Sequence, residues 1–334
     1  MDLRTTYLGL RLKNPLVPSA SPLSRSLDMA KQLEDAGAAA LVMYSLFEEE
    51  LQHDQQVMDD YLNNQALGHA EAASFLPLHS NMLSRQESYL EQLTRLKQAL
   101  DIPVIASLNG VTHGGWISHG KALQEAGADA LELNVYYIAG DSAVSGSEVE
   151  RRYIDLLHQL RQHVTLPIAM KLSPQFSSVA HMVSHLEKAG AAGVSLFNRL
   201  YQPDIDIDSL RVAPRLQLSS SAESLLALRW IAMLHGQVKL TLAATGGVHD
   251  YQDALKMLLA GADVVHLCSA LLLHGAGRLT QILNDMTQWL EESPYDSIEQ
   301  LKGVLSQRHA GDASAYARAN YLQILDNYLP NLPS

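Results

Sequence analysis

The sequence has little of three things: cysteine, positive charge and long apolar runs. One cysteine, Cys268, among 334 residues excludes a disulfide framework, a cysteine-based zinc site and an iron–sulfur cluster held by this chain alone. With 24 Lys and Arg against 36 Asp and Glu, the formal net charge is −12, opposite to the basic surface typical of nucleic-acid binders. We therefore expect neither a nucleic acid nor an anionic membrane surface as a partner.

No run of 18 apolar residues occurs, so the sequence predicts no membrane-spanning helix. The first twenty residues carry charges every few positions and lack the apolar centre of a secretory signal. Hydrophobic residues make up 47% of the chain and charged residues 18%, which is typical of a folded globular protein. We expect a cytoplasmic protein.

A short phrase recurs four times along the chain and indicates a repeated structural unit. In each copy a glycine stands where a helix would end, and the apolar residues after it predict a buried strand. The copies are DAGAAALVMYS from Asp35, EAGADALELN from Glu125, KAGAAGVSLFN from Lys188 and LAGADVVHLCS from Leu259.

A second apolar run precedes each of the four helices, so the chain contains four β–α–β units. The eight strands are predicted near residues 15–19, 39–44, 103–108, 130–134, 167–172, 193–198, 240–245 and 264–268. Right-handed crossovers between parallel strands favour a closed α/β fold, a single (β/α)8 TIM barrel over residues 1–334, with a doubly wound sheet as the alternative.

Two connections and the C-terminal segment are longer than a minimal barrel needs. Residues 45–101 and 199–239 follow the second and sixth strands, on the face that carries barrel active sites, and we expect both insertions to cover a site. Residues 279–334 begin with apolar side chains at helical spacing, which predicts a helical C-terminal extension.

Polar residues stand at the carboxyl end of every predicted strand, where barrel enzymes place their active sites. Eight polar strand ends predict a shared site rather than isolated buried polar groups. In chain order they are Ser19 and Ser21, Tyr44 and Ser45, Ser107 and Asn109, Asn134, Lys171, Asn198, Thr245 with Gly246 and Gly247, and Cys268 with Ser269.

Two of these strand ends indicate specific chemistry. The loops after the last two strands of barrels commonly bind phosphate, and Gly246 and Gly247 would let backbone N–H groups approach it, although a tight turn is the alternative. Lys171 lies inside an apolar run, so its ammonium needs a polar partner, which we expect to be a ligand. Cys268 is interpreted as a small buried thiol. No histidine has a metal-ligand spacing, and no metal site is predicted.

At these residues the sequence resembles the dihydroorotate dehydrogenase family, FMN-dependent (β/α)8 barrel enzymes, over about residues 1–305. The resemblance implies the soluble class of that family, oxidation of dihydroorotate to orotate in pyrimidine biosynthesis, and hydride transfer to flavin N5. It is carried by LGLRLKNPLVPSASPL, which matches the family's opening hairpin and first strand, and by ELNVYY, AMKLSP and LFNRL. The most specific match is AATGGVHDYQDALKMLLAGADVVHLCSALL.

The resemblance also implies roles for individual residues. Lys171 matches the lysine at the flavin ring, Asn134 the asparagine at flavin and substrate, and Asn198 a substrate-binding asparagine. The remaining expected cofactor contacts are Ser19 and Ala20 through their backbone, Ser45 at the end of the second strand, and Gly246, Gly247 and Ser269 around the phosphate.

The sequence departs from the family at the catalytic base. The family's cysteine or serine, followed by Pro-Asn, is replaced by Tyr137, Ile138 and Ala139. A free tyrosine titrates near pH 10, so Tyr137 would need tuning to act as the base. A second family lysine corresponds to Tyr44, and a family loop is replaced by a segment such as LPLHSNML. FMN binding is therefore expected with a rebuilt substrate site, for dihydroorotate, another dihydropyrimidine or an enone.

Two other functions stay open. The missing base would suit a non-catalytic flavoprotein or electron-transfer subunit. A flavin-free phosphate-binding barrel enzyme could instead use Lys171 to form a Schiff base. As partners we expect a small-molecule substrate, a second copy of the chain in a homodimer, and a redox partner protein if electrons leave through one.

Overall fold

The computed structural model describes residues 1–48, 84–110, 115–199, 202–214 and 216–317. The chain begins with a hairpin of β1 (Thr5–Tyr7) and β2 (Leu10–Leu12). Eight parallel strands follow, and each of the eight predicted strands is present. They are β3 (Leu16–Pro18), β4 (Leu41–Phe47), β5 (Val104–Gly110), β6 (Ala130–Val135), β7 (Ile168–Leu172), β8 (Gly193–Leu196), β11 (Thr241–Thr245) and β12 (Val264–Leu267). Between β8 and β11 the chain forms a second hairpin, of β9 (Pro203–Asp206) and β10 (Arg211–Pro214), which is separate from the barrel.

The eight strands form a nearly closed barrel. Their order is β3-β12-β11-β8-β7-β6-β5-β4. The first and last strands of this order also meet, because the N–H of Ala39, just before β4, donates to the carbonyl of Leu16 in β3 at 3.0 Å. The two edges of a doubly wound sheet would lie far apart, so the predicted (β/α)8 barrel is confirmed.

Helices cover the outside of the barrel. They are α1 (Leu27–Asp35), α2 (Arg85–Ala99), α3 (Trp116–Glu125), α4 (Gly146–Arg161), α5 (Val179–Lys188), α6 (Ser224–Leu234) and α7 (Tyr251–Ala260). The glycines of the repeated phrase, Gly37, Gly127, Gly190 and Gly261, have φ between +93° and +119° and follow α1, α3, α5 and α7. A left-handed residue ends a helix at low cost only where it is glycine, which confirms the predicted helix stops.

The long connections each contain a barrel helix. Between β4 and β5 this helix is α2, while residues 49–83, including the LPLHSNML segment, lie outside the described residues. Between β8 and β11 the connection holds the β9–β10 hairpin and α6. After β12 come α8 (Ser269–His274), α9 (Gly277–Glu291) and α10 (Ile298–Leu301), so the described part of the predicted C-terminal extension is largely helical. None of the helices in the described ranges is both long and apolar enough to cross a membrane.

The barrel interior has an apolar lower half that the N-terminal hairpin closes. Tyr7, Leu8 and Leu12 of this hairpin pack with small and β-branched side chains from the amino-terminal halves of the strands: Val17, Val42, Ile105, Ala130, Ala169, Ala243 and Val264. The hydroxyl of Thr5 donates to the carbonyl of Asp263, directly before β12, which holds the hairpin at this end. Only the carboxyl ends of the strands are therefore left as the mouth of the barrel.

Candidate active site

The mouth brings the predicted substrate residues side by side. In the strand registers Asn109 of β5 faces Asn134 of β6, and Asn134 faces Lys171 of β7. Asn198, just beyond β8, donates from Nδ2 to Oδ1 of Asn134 at 2.9 Å. Asn134 and Asn198, to both of which the resemblance assigns substrate binding, are thus in direct contact.

Lys171 has a partner within the protein that the sequence analysis did not identify. Its Nζ lies 3.3 Å from Oε1 of Glu132, and both side chains are buried, with 9% and 1% exposed. Because an ammonium has three protons, this ion pair leaves others for a ligand at the mouth. The sequence pattern that points to Lys171, a charged residue inside an apolar strand, is also present at Glu132 and could have been used to find it.

Further polar groups surround Glu132 inside the barrel. Ser195 Oγ donates to Glu132 Oε2 at 2.9 Å, and His266 Nδ1 lies 3.8 Å from the same oxygen. Burial raises the pKa of Glu132, but the Lys171 charge and the Ser195 hydrogen bond outweigh it and hold that pKa below its usual range. Burial lowers the pKa of His266 to about 4, so its imidazole is neutral at pH 7. Tyr7 lies below, with its hydroxyl 3.5 Å from Ser195 Oγ and its ring edge-on to His266.

The predicted phosphate loop follows β11. Gly246 and Gly247 have φ of +96° and +72°. A Cβ on Gly246 would meet no atom within 4 Å, whereas one on Gly247 would lie 2.3 Å from the backbone nitrogen of Ser224 in α6. The loop is thus open on the Gly246 side and packed against a helix on the Gly247 side, which fits a backbone cradle for an anion.

Hydroxyl groups lie next to this loop. Ser219 donates to Ser269 Oγ through its backbone N–H at 3.1 Å and through its own hydroxyl at 2.8 Å. His249 Nε2 lies 3.3 Å from Ser219 Oγ. Ser269 is predicted from the sequence because it follows a strand end, whereas Ser219 and His249 are not, because neither ends a predicted strand. Neutral hydroxyl and amide groups suit a phosphate without a basic residue.

The first two barrel strands contribute Ser19, Ala20 and Ser45. The N–H of Ser19 donates to the carbonyl of Leu267 at 2.9 Å, so any flavin contact from this strand end would come from its carbonyl or from Ala20. Ser45 Oγ lies 2.9 Å from Ser107 Oγ on the neighbouring strand. Cys268 is half-buried rather than fully buried, it forms a hydrogen bond with Ser19, and burial raises the pKa of its thiol.

Tyr137 and Tyr44, the two departures from the family pattern, both pack against helices. The Arg152 guanidinium of α4 lies 4.5 Å from the centre of the Tyr137 ring, and the Tyr137 hydroxyl makes no hydrogen bond within the described ranges. The Tyr44 ring contacts Tyr89 of α2 and lies beneath Arg25. Tyr137 as the catalytic base therefore stays a prediction.

A crevice opens beside Asn109, between the ends of β4 and β5 and the start of α3. Its lining includes Glu48, Trp116 and His119, all buried. Among the residues that the structure describes, Trp116 Nε1 and His119 Nδ1 have no hydrogen-bond partner, and burial lowers the pKa of His119. No motif in the sequence indicates this crevice, because its residues come from three separate elements.

Comparisons with known proteins show which proteins the chain is similar to. The sequence matches the family model described as dihydroorotate dehydrogenase over residues 2–290. It is 26% identical over 309 residues to the catalytic subunit of dihydroorotate dehydrogenase B (NAD(+)) of Thermoplasma acidophilum, covering 91% of this chain and 98% of that protein. The protein of the same description from Pyrococcus abyssi is 27% identical over 316 residues, with 90% and 98% covered.

A relative with a different description is nearly as similar. The NAD-dependent dihydropyrimidine dehydrogenase subunit PreA of Escherichia coli K12 is 24% identical over 321 residues, which cover 91% of this chain and 76% of that protein. The descriptions of these relatives thus name different substrates, dihydroorotate or a dihydropyrimidine, although each relative matches nearly the same share of this chain.

Proposed function

The chain belongs to the dihydroorotate dehydrogenase family, and from this premise we propose that it uses FMN to oxidise a CH–CH bond in a dihydropyrimidine ring. The observation that carries the proposal is the arrangement of the mouth. A buried lysine and a pair of hydrogen-bonded asparagines lie at the same barrel end as an open glycine loop flanked by hydroxyls. The enzyme is a dehydrogenase of the same class as its relatives. FMN as its cofactor and a dihydropyrimidine as its substrate are proposals.

The residues present fit FMN. Gly246, Gly247, Ser269 and Ser219 would hold the phosphate, and the Lys171 ammonium would lie at the ring system. The flavin, when bound, supplies the hydride acceptor. Asn134 and Asn198 would orient the substrate ring by hydrogen bonds to its amide groups, which keeps the reacting carbon at a fixed position.

Two members of one substrate class are the candidates, dihydroorotate and a dihydropyrimidine without the carboxylate, such as dihydrouracil. Tyr44 replaces a family lysine and packs against Tyr89 and Arg25, so residue 44 itself supplies no positive charge to a substrate carboxylate. The description of the E. coli relative also names dihydropyrimidines. These two observations support a site that accepts an uncharged ring.

An absorption spectrum tests cofactor and substrate together. We expect the purified protein to be yellow, or to become yellow on reconstitution with FMN. Under anaerobic conditions, dihydroorotate or dihydrouracil should bleach the flavin absorbance. If dihydrouracil reduces the bound flavin and dihydroorotate does not, the substrate is the uncharged ring. A protein that cannot be reconstituted with FMN would overturn the proposal.

A lysine variant tests the site. Lys171→Met should raise the FMN dissociation constant or slow flavin reduction, because the buried ammonium is lost while the apolar stem is kept. Lys188→Met, at the exposed end of α5, is the matched control and should behave as the wild type. The Schiff-base alternative requires a neutral amine, whereas Lys171 lies in an ion pair with Glu132. Borohydride trapping of a carbonyl substrate on Lys171 would favour that alternative.

We further propose that the reduced protein passes electrons to a partner. The relatives from Thermoplasma and Pyrococcus are described as catalytic subunits of NAD(+) enzymes, and the one cysteine of this chain cannot hold an iron–sulfur relay. The substrate-reduced protein alone should therefore not reduce NAD+ in a stopped-flow experiment. Rapid NAD+ reduction by the isolated chain would contradict the need for a partner.

The expected homodimer is also a proposal. Large apolar side chains are exposed on and beside the β9–β10 hairpin, among them Ile205, Leu210 and Val212. Such a surface is typical of a contact between chains. Sedimentation equilibrium should give twice the chain mass of 36.6 kDa, and a monomer at micromolar concentration would contradict it.

A further inference from the structure

A charged cluster lies inside the barrel, directly beneath the mouth. Glu132 is two residues before Asn134 on β6, so its side chain is on the same inner face, one layer lower. Its two carboxylate oxygens have separate partners: Oε1 faces Lys171, and Oε2 accepts from Ser195. His266 closes the layer from β12.

Stability alone gives little reason for this layer to be charged. A buried ion pair is often no better for stability than well-packed apolar side chains of the same volume, because both ions lose their hydration. The layer below demonstrates that apolar residues fill this barrel, since Ala130 and Ala169 occupy the same strands there. A charged layer only one step above an apolar one therefore indicates a functional requirement at the mouth.

We propose that Glu132 is a positioning residue, which holds the Lys171 ammonium at a fixed place at the mouth, where FMN would bind, and partly neutralises its charge. This inference rests on the proposed function. Ser195 fixes one carboxylate oxygen so that the other remains directed at Lys171. His266 is enclosed and neutral, so it fills the layer without adding a second positive charge. The cluster therefore contains one ion pair, Lys171 with Glu132, and His266 adds no second cation.

The midpoint potential of bound FMN tests this role. Glu132→Gln removes the counter-charge and nearly conserves the shape, so the potential should shift to a more positive value, because an uncompensated ammonium stabilises the electron-rich flavin. Glu125→Gln makes the same substitution at an exposed position at the end of α3 and should leave the potential unchanged. An unchanged potential in folded, FMN-loaded Glu132→Gln would overturn the inference.

Repeating the Glu132 substitution in a Lys171→Met protein distinguishes two ways in which Glu132 could change the flavin potential. One acts through Lys171, and the other is a direct electrostatic effect of the carboxylate on the flavin. If Glu132 acts through Lys171, adding Glu132→Gln to Lys171→Met should produce little further shift. A shift of equal size in both backgrounds would overturn the positioning role. The double variant leaves no unpaired buried charge, which favours its folding.

A variant that keeps the charge covers the case in which Glu132→Gln does not fold. Glu132→Asp withdraws the carboxylate by one methylene from Lys171 and Ser195, and we expect a smaller shift of the same sign. An unchanged potential in this variant also contradicts the inference. If the wild-type protein takes up no FMN, the proposed function fails together with this inference, whereas a loaded protein with unchanged potentials overturns only the positioning role.

Discussion

Tyr137 occupies the position at which the resemblance places a catalytic base, and its ring is held by Arg152 on α4. If its hydroxyl is the base, Tyr137→Phe should slow substrate-driven flavin reduction by a factor of roughly 10²–10⁴, the usual contribution of a general base. The ring and its cation–π contact are retained in phenylalanine, so the melting temperature and the FMN affinity should not change. Anaerobic stopped-flow absorbance measures the rate.

Tyr136→Phe is the control for Tyr137→Phe, because this neighbour is also a half-buried tyrosine in the same loop. Its reduction rate should equal that of the wild type. Equal rates for Tyr137→Phe and the wild type would exclude the tyrosine as the base. They would favour a mechanism in which the proton leaves to another group.

The site residues that could be predicted share a local signal. Lys171 and Asn134 each end an apolar strand, and the barrel places every such end at one mouth. Glu132 lies in the same kind of strand, but its role depends on Ser195, 63 residues further along the chain. Only the closed sheet brings these two together, so a reading of neighbouring residues could not find the pair.

At the scale of elements, the loop between β11 and α7 has two glycines with different surroundings. Gly247→Ala would place a Cβ 2.3 Å from the Ser224 backbone and 2.9 Å from the Ser220 carbonyl, so it should destabilise the fold by more than the strain of a positive φ. Gly246→Ala meets no atom within 4 Å and should cost only about 1 kcal/mol of stability. Urea unfolding of both variants measures the difference.

Gly246→Ala also tests whether the loop after β11 binds the FMN phosphate. The methyl group of Gly246→Ala would occupy the open side of the loop, so FMN affinity should fall although the protein remains folded. A Gly246→Ala protein that binds FMN as tightly as the wild type would place the phosphate elsewhere. Fluorescence titration with FMN gives the affinities.

The N-terminal hairpin is an element that the sequence analysis assigned only by resemblance. It closes the lower end of the barrel with Leu12, which is 2% exposed, whereas its neighbour Arg11 is exposed. Leu12→Ala should lower the free energy of unfolding by about 2–5 kcal/mol, the range for truncating a buried leucine. Arg11→Ala on the same strand should change it by less than about 0.5 kcal/mol. Equal effects of the two substitutions would show that the hairpin does not seal the barrel.

The strands could be predicted because their signals are local: an apolar run after a glycine stop, or one that starts at a proline. The closure of the lower end of the barrel could not be predicted from residue spacing, because three-residue strands such as β1 and β2 are too short to show a periodicity. The register shift in β4 between Val42 and Ser45 is equally invisible in the sequence. It coincides with the packing of Tyr44 against Tyr89.

At the scale of the whole molecule, the barrel separates an apolar lower half from a polar upper half. The hairpin closes one end, so the Glu132 cluster can exchange with solvent only through the mouth. This cluster joins β6, β7, β8 and β12 with Tyr7 of the hairpin. Its protonation state should therefore affect the stability of the entire fold, and not one loop.

Acid should weaken the protein through this cluster. The pKa of His266 is lowered from 6.5 to about 4 in the folded protein, so the unfolded chain takes up the proton first. The neutral His266 therefore contributes to the free energy of unfolding, and this contribution is fully present above pH 6.5. It is lost as the pH falls through 6.5 towards 4, by up to about 3 kcal/mol. The lowered pKa of Glu132 acts in the same direction at still lower pH, since its stabilisation is lost once the carboxylate is protonated.

The substitution His266→Gln tests this acid dependence. It removes the titrating imidazole, so the free energy of unfolding should fall less between pH 7 and pH 5 than in the wild type, by about 2 kcal/mol. His163→Gln, at an exposed position after α4, should leave the wild-type pH dependence intact. Urea unfolding at the two pH values measures both variants. If His266→Gln keeps the full wild-type loss, the imidazole is not buried in its neutral form, and the charge balance inferred beneath the mouth is wrong.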